Sequence, residues 1–177
     1  MKKVLLVFAL LITCTATFAQ LKNNVTKSSI TFKIKNLGIN TGGRIEKMEA
    51  NVDFDPAKLA TSKMEAVADV TTITTDNDMR DNHIKNEEFF DVAKYPKITM
   101  SSVSFAKKSS DKFVGKFNLT IKGKTKQIEV PFSYVTNATT AYIKGSFKIS
   151  REEFGIGGST MTLSDEATIT IDVETAK

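Results

Sequence analysis

The sequence predicts an all-β domain of eight antiparallel strands, closed as a barrel or stacked as a sandwich, with one short helical insertion around residues 76–92. Three observations carry this. Over most of the chain apolar and polar residues alternate with period two, the mark of strands with one dry face. Short turn segments rich in Gly, Asn, Asp or Lys separate the alternating runs. The stretch Thr74–Pro96 alone breaks the alternation, and it gathers charge from Asp76 to Asp91 around the only histidine, His83.

Residues 1–19 read as a cleaved secretory signal: Lys2-Lys3, the apolar run Val4–Ile12, then Thr17-Phe18-Ala19. The run falls short of the roughly 20 apolar residues of a transmembrane helix. Cleavage near Ala19 leaves one domain over 20–177, periplasmic or secreted, and lowers the formal charge from +5 to +3. The remaining charge is scattered with no basic stripe, so it carries little information about nucleic acid or an anionic membrane, and no nucleic-acid partner is assigned. The single cysteine, Cys14, lies inside the signal, which excludes disulfides, thiolate metal sites and cysteine nucleophiles from the secreted chain. Lipidation of Cys14 is the competing reading, but Thr13 stands where such a signal prefers Gly or Ala.

Taken in order, Ile30, Phe32 and Ile34 alternate with lysines and Thr31 in the first strand, and Asn36–Gly43 reads as a turn. Met48, Ala50, Val52 and Phe54 make the second strand, and Met64, Ala66, Ala68, Val70 and Thr72 the third. After the insertion, Ile98 and Met100 are out of phase with Val103 and Phe105, which predicts a bulge near Ser101-Ser102. Phe113–Ile121 and Ile128–Tyr134 form a hairpin about Lys122-Gly123-Lys124, with Pro131 predicting an edge or a bulge. Ile143–Ile149 and Ile169–Val173 complete the eight. Small residues on the apolar faces (Ala50, Ala66, Ala68, Gly115, Gly145) leave room for a ligand inside, although glycines easing sheet bends would look the same.

The charged stretch offers little chemistry. One histidine without cysteine makes a poor zinc site, and Asp76-Asn77-Asp78 lacks the glycine and terminal glutamate of a calcium loop. Neither G-x-S-x-G nor a phosphate-cradling glycine loop occurs. Local structure accounts for the charges more simply: Asp76 caps a short helix, and Asp78 and Asp81 lie near its positive end. No catalytic residue, metal site or cofactor is therefore assigned.

The motif Arg80-Asp81-x-His83-Ile84-Lys85, followed by Glu88-Phe89-Phe90-Asp91-Val92 and Tyr95-Pro96, resembles the YceI-like family of secreted proteins. Gly115–Lys126 and Ile149–Ile156, the latter containing Arg151-Glu152-Glu153-Phe154-Gly155, are similar to two further motifs of that family. Asn36 stands where many members carry histidine, so no role for that histidine is carried over. The resemblance implies a lipocalin-like barrel of eight antiparallel strands that binds a polyisoprenoid or similar amphiphilic lipid, often as a homodimer, with no assigned reaction. Transient membrane contact is a separate expectation.

On that implication the candidate cavity liners are Phe32, Ile34, Phe54, Val70, Phe117 and Leu119, with Phe132, Phe147 and Ile149. Phe89, Phe90, Phe154 and Ile156 are expected at a lid or entrance. Arg80, Asp81, His83, Asp91 and Arg151 are expected to hold the insertion against the barrel, Arg80 through a half-buried carboxylate pair. Replacing Arg80 with alanine is then expected to lower stability more than it alters ligand preference. Two other functions compete: an enzyme acting on an isoprenoid lipid through His83 and nearby aspartates, and a filled-core stress-response interaction protein.

Overall fold

The computed structural model describes residues 24–176; the expected signal and Cys14 lie outside them. Ten strands form one antiparallel sheet: β1 (Val25–Asn36), β2 (Ile39–Ile45), β3 (Met48–Asp53), β4 (Lys63–Asp69), β5 (Ile73–Thr74), β6 (Lys97–Lys107), β7 (Lys112–Ile121), β8 (Lys124–Thr136), β9 (Thr140–Ser150) and β10 (Leu163–Ala176). Their order is β3-β4-β6-β7-β8-β9-β10-β1-β2-β5. The all-β antiparallel barrel class agrees with the sequence, but the count is ten, not eight.

The two additional strands are β2 and β5. Gly42 and Gly43 are turn signals in sequence, yet both lie in β2, paired with β1 at Lys33 and Phe32. Packing explains them. A Cβ on Gly42 would sit 2.3 Å from the Phe32 carbonyl oxygen, and one on Gly43 2.2 Å from that of Thr74. Only glycine lets these backbones approach so closely. β5 has two residues, too few to show a period.

The sheet curls until its ends meet near β1 and β3, and Asn24 fastens the seam. Its side-chain amide donates to Val52 O at 2.8 Å and accepts from Val52 N at 2.9 Å, while Asn24 N donates to Ala50 O. One amide side chain thus imitates a ladder pair where none runs.

Elsewhere the alternation is read directly. On β7, Phe113, Gly115, Phe117, Leu119 and Ile121 are buried and Lys112, Lys116 and Asn118 exposed. The β6 bulge falls between Ser102 and Ser104. Pro131 pairs with Val114 on β7, but the β8–β9 ladder begins only at Phe132, so on its β9 side the strand is locally an edge, as the proline predicts. From Phe132 toward the β7–β8 turn, β8 and β9 part. The 3₁₀ turn Glu152–Phe154 and the following loop lie at this parting, with Lys122 Nζ donating to Gly155 O at 3.1 Å.

The interior is solid at one end. Phe54 meets Phe105, Phe113, Phe132 and Tyr134 with ring centroids 4.8–5.5 Å apart, all edge-on, an arrangement favoured by ring quadrupoles. Toward the other end the core gives way to space.

The insertion contains one helix, α1 (Asp78–Lys85). Asn77, not the expected Asp76, is the N-cap, its side chain accepting from Arg80 N at 2.9 Å. Beyond the helix, Asp91 takes φ 49°, a left-handed conformation that Asp tolerates better than most residues. That reversal lets Tyr95 N return to Asp91 O at 2.8 Å and brings Tyr95 against Gly123. Among the described residues no helix is long and apolar enough to cross a membrane.

Candidate functional site

A cavity of about 430 Å³ occupies the open end of the barrel. Inward-facing residues of strands spaced around the barrel form its walls: Phe32 and Ile34 on β1, Leu119 on β7, Phe147 and Ile149 on β9. Phe89 and Phe90 from the insertion and Ile156 from the glycine-rich loop close it. These eight candidates border the space together.

The other five lie elsewhere. Phe117 and Phe132 border a second void of about 60 Å³ deeper in the barrel. Phe54 belongs to the aromatic end. Val70, 1% exposed, opens a 3₁₀ turn at which the period of β4 stops. Phe154, also 1% exposed, is core at the β8–β9 parting rather than part of an entrance.

Further liners were not singled out from sequence. Ile30, Ile121, Ile169 and Ile171 share the faces of nominated residues, and the same period would have found them. Ile45 and Ile73 sit on the two unexpected strands, and Ile84 on the helix, where period two says nothing. Met48, Ala66, Met100 and Ile171 border both the cavity and the second void, so they separate the two. Ala66 and Ala68 are among the small residues read as leaving room.

The exposed lining residues are polar: Asn36, Arg80, His83, Glu88, Thr160 and Thr162. They mark the mouth. His83 packs edge-on against Phe89 with centroids 4.8 Å apart. Among the described residues no three His, Cys, Asp or Glu side chains converge on a metal-sized site.

Polar anchors hold the closing segments. α1 buries a single residue, and it is a carboxylate, Asp81. Asp81 accepts from Thr74 Oγ1 at 2.6 Å, Thr75 N at 2.7 Å and Thr75 Oγ1 at 2.6 Å. Arg80 does not make the expected carboxylate pair. It is exposed and donates to Thr41 Oγ1 at 2.6 Å, while Asp76 pairs with Arg44 at 2.8 Å. The insertion is therefore fastened by Asp81 more than by Arg80.

Arg151, 3% exposed, ties the glycine-rich loop to β10. Its Nε donates to Ser164 O at 2.9 Å, Nη1 to Ile156 O at 2.8 Å and to Gly158 O, and Nη2 to Leu163 O at 3.1 Å. The loop meets the insertion where Gly157 N donates to Glu88 O at 2.9 Å. Gly157 has φ 68°, and a Cβ there would lie 2.6 Å from the Phe89 ring.

Two carboxylates make the anchoring sensitive to acid. For Asp81, burial acts to raise the pKa, but the Thr74 and Thr75 donors outweigh it and hold the group below the ordinary carboxylate range. Asp165 is held low by the Glu152 N–H and the Ser150 hydroxyl against a smaller effect of burial. A depressed folded pKa contributes stability above the unfolded value, about 3.9, that is lost as pH falls through the folded one. The melting temperature is thus expected to fall as pH drops below about 4. Asp81→Asn should be less stable than wild type at neutral pH, with the gap narrowing in acid; calorimetry across this range checks both.

The comparisons with known proteins bear on this geometry. A YceI-like domain model matches residues 21–175. The chain belongs to the YceI-like family. This YceI-like chain is 28% identical over 136 residues to a UPF0312 protein of Vibrio cholerae, covering 73% of the chain and 72% of the relative. A UPF0312 protein of Staphylococcus aureus is 33% identical over 139 residues, covering 73% and 77%. The crystal structure of Burkholderia cenocepacia BcnA superposes with a TM-score of 0.81 at 28% identity, covering 86% of this chain and 98% of that one. A polyisoprenoid-binding domain from Saccharophagus degradans, implicated in plant cell wall breakdown, superposes at 0.69 with 14% identity, covering 88% and 97%. That last likeness is one of fold.

Proposed function

We propose that this YceI-like chain binds the apolar tail of a polyisoprenoid or similar amphiphilic lipid in the cell envelope, for storage or transport and without a catalytic step. One observation carries the reading: apart from buried Arg151 and half-buried Thr41 and Thr75 the inner lining is apolar, and the exposed polar liners stand at the mouth. The volume falls within the roughly 300–1,000 Å³ of small-ligand pockets. A fold shared with a polyisoprenoid-binding domain and the expected secretory signal are consistent with it.

The mechanism is hydrophobic transfer. Each buried methylene contributes about 0.8 kcal/mol, offset in part by ordering a flexible tail. The head group stays near Asn36, Arg80, His83 and Thr160, where it keeps its water. Native mass spectrometry of protein purified without detergent, followed by organic extraction, tests the proposal. A discrete extracted lipid with a prenyl mass ladder supports it, whereas an empty protein that also refuses added polyprenols overturns it.

The floor sets a second expectation. Met48 and Met100 stand between the cavity and the deeper void, and truncating both to alanine joins the two spaces. The double variant should prefer tails one or two prenyl units longer, read by competition among polyprenols of graded length. An unchanged preference would place the tail's end short of these methionines.

A further inference from the structure

We propose that the cavity rim docks on a lipid bilayer, with the β1–β2 turn and the loop preceding β10 inserting apolar tips among the head groups. Among the described residues seven large hydrophobic side chains are exposed, and four of them adjoin the mouth. Leu37, 73% exposed, follows the lining Asn36, and Ile39, 72% exposed, completes that turn. Met161, fully exposed, lies between the lining Thr160 and Thr162. Met79 precedes the lining Arg80 but neighbours Asp78, so it belongs to the periphery. The remaining three include Val135 and Tyr142, a cross-strand pair by the β8–β9 turn at the opposite end.

The two tips act as one surface. Leu37 N donates to Thr162 O at 2.7 Å, joining the turn to the loop. Neither Lys35–Thr41 nor Gly158–Ser164 contains a carboxylate, and the first carries Lys35, so the two tips themselves present no repelling charge to an anionic head-group layer; Glu88 stands at the mouth, and Asp165 follows the loop, bonded to Ser150 and Glu152 N.

Backbone conformation supplies an independent indication. Leu37 has φ 51° and Gly38 φ 79°, the two left-handed residues of a tight hairpin turn. Asn, Asp or Gly is the usual first residue of such a turn, and a bulky side chain there is strained. Leu37 is thus unfavourable for the turn and unfavourable for water. Neither stability nor solubility accounts for it, whereas an apolar tip at a membrane surface does.

The chain has no tryptophan, so a single introduced one reports without background. Leu37→Trp, Met161→Trp and, as a control, Val135→Trp are each mixed with vesicles of brominated phosphatidylcholine containing one-fifth phosphatidylglycerol. The proposal expects blue-shifted, quenched emission at positions 37 and 161 and neither at 135. Unquenched tips, or equal quenching at all three positions, overturn it. Tips that shift without vesicles as protein concentration rises also overturn it, because a second copy then covers the rim.

Leu37→Asn separates surface role from folding. It relieves the turn, so its melting temperature should equal or exceed wild type. Combined with Met161→Asn it should lower vesicle-bound protein about tenfold through lost apolar insertion. Undiminished vesicle binding would sink the proposal. None of these readouts needs cargo, so they stand apart from the success or failure of the lipid extraction.

Discussion

Arg151→Met is expected to lower the unfolding free energy by roughly 1.5–3 kcal/mol, the range for losing hydrogen bonds to a buried charged group. Methionine fills similar space but donates nothing. The carbonyls of Ile156, Gly158, Leu163 and Ser164 would lose the donor that now serves all four. The Ile156 carbonyl, the buried one of the four, would be left unpaired at a cost beyond the bond itself, while the part-buried others can turn to water. The nearest carboxylate, Glu152, contributes little at 3.4 Å and 42% exposure, so the role of Arg151 is loop construction rather than ion pairing. Arg151→Lys should recover only part of the loss, because a single ammonium cannot reproduce the planar fork. Urea titrations of the three proteins check this, and an Arg151→Met variant within about 1 kcal/mol of wild type would refute it.

Under the proposed lipid-binding function, Ala66→Phe is expected to abolish tail binding while leaving the protein folded. Ala66 projects from β4 beside both the cavity and the deeper void, where a phenyl group has room. The ring would occupy volume that the tail otherwise fills. Displacing about four methylenes corresponds to more than 100-fold in affinity. Stability should change by about 1 kcal/mol or less, since the added side chain enters space instead of displacing packed neighbours. Lipid content after detergent-free purification, measured beside a thermal melt, gives the answer. Wild-type lipid content in a folded variant would mean that the tail lies elsewhere.

Much of the fold was legible because a half-buried strand writes its two faces into alternate residues. Phe32 and Ile34, Leu119, and Phe147 and Ile149 were found in that way, and all border the cavity. The same rule could not separate hollow from solid: Phe54, Phe117 and Phe132 face inward too, but where aromatic rings or a small void fill the barrel. That distinction depends on which strands meet across the interior, a long-range property absent from local pattern. β2 was hidden because its glycines answer to the Phe32 and Thr74 backbones. The anchor at Asp81 was hidden because its partners are hydroxyls and an N–H, whereas charge pairing pointed to Arg80.

The closure of the sheet also bears on the order in which the chain is made. β1 hydrogen-bonds to β10 from Val25–Thr175 to Asn36–Leu163, so the strand that begins the domain waits for the strand that ends it. Contacts so distant in sequence are slow to form. During synthesis or passage through a translocation pore, β1 has no β10 partner until nearly the whole domain has emerged. Such a chain stays an open thread while it is made and becomes a container only when its last strand is free to pair. Its two ends then lie side by side, and joining residues 24 and 176 while cutting the β8–β9 turn should yield a permuted protein that folds to the same vessel.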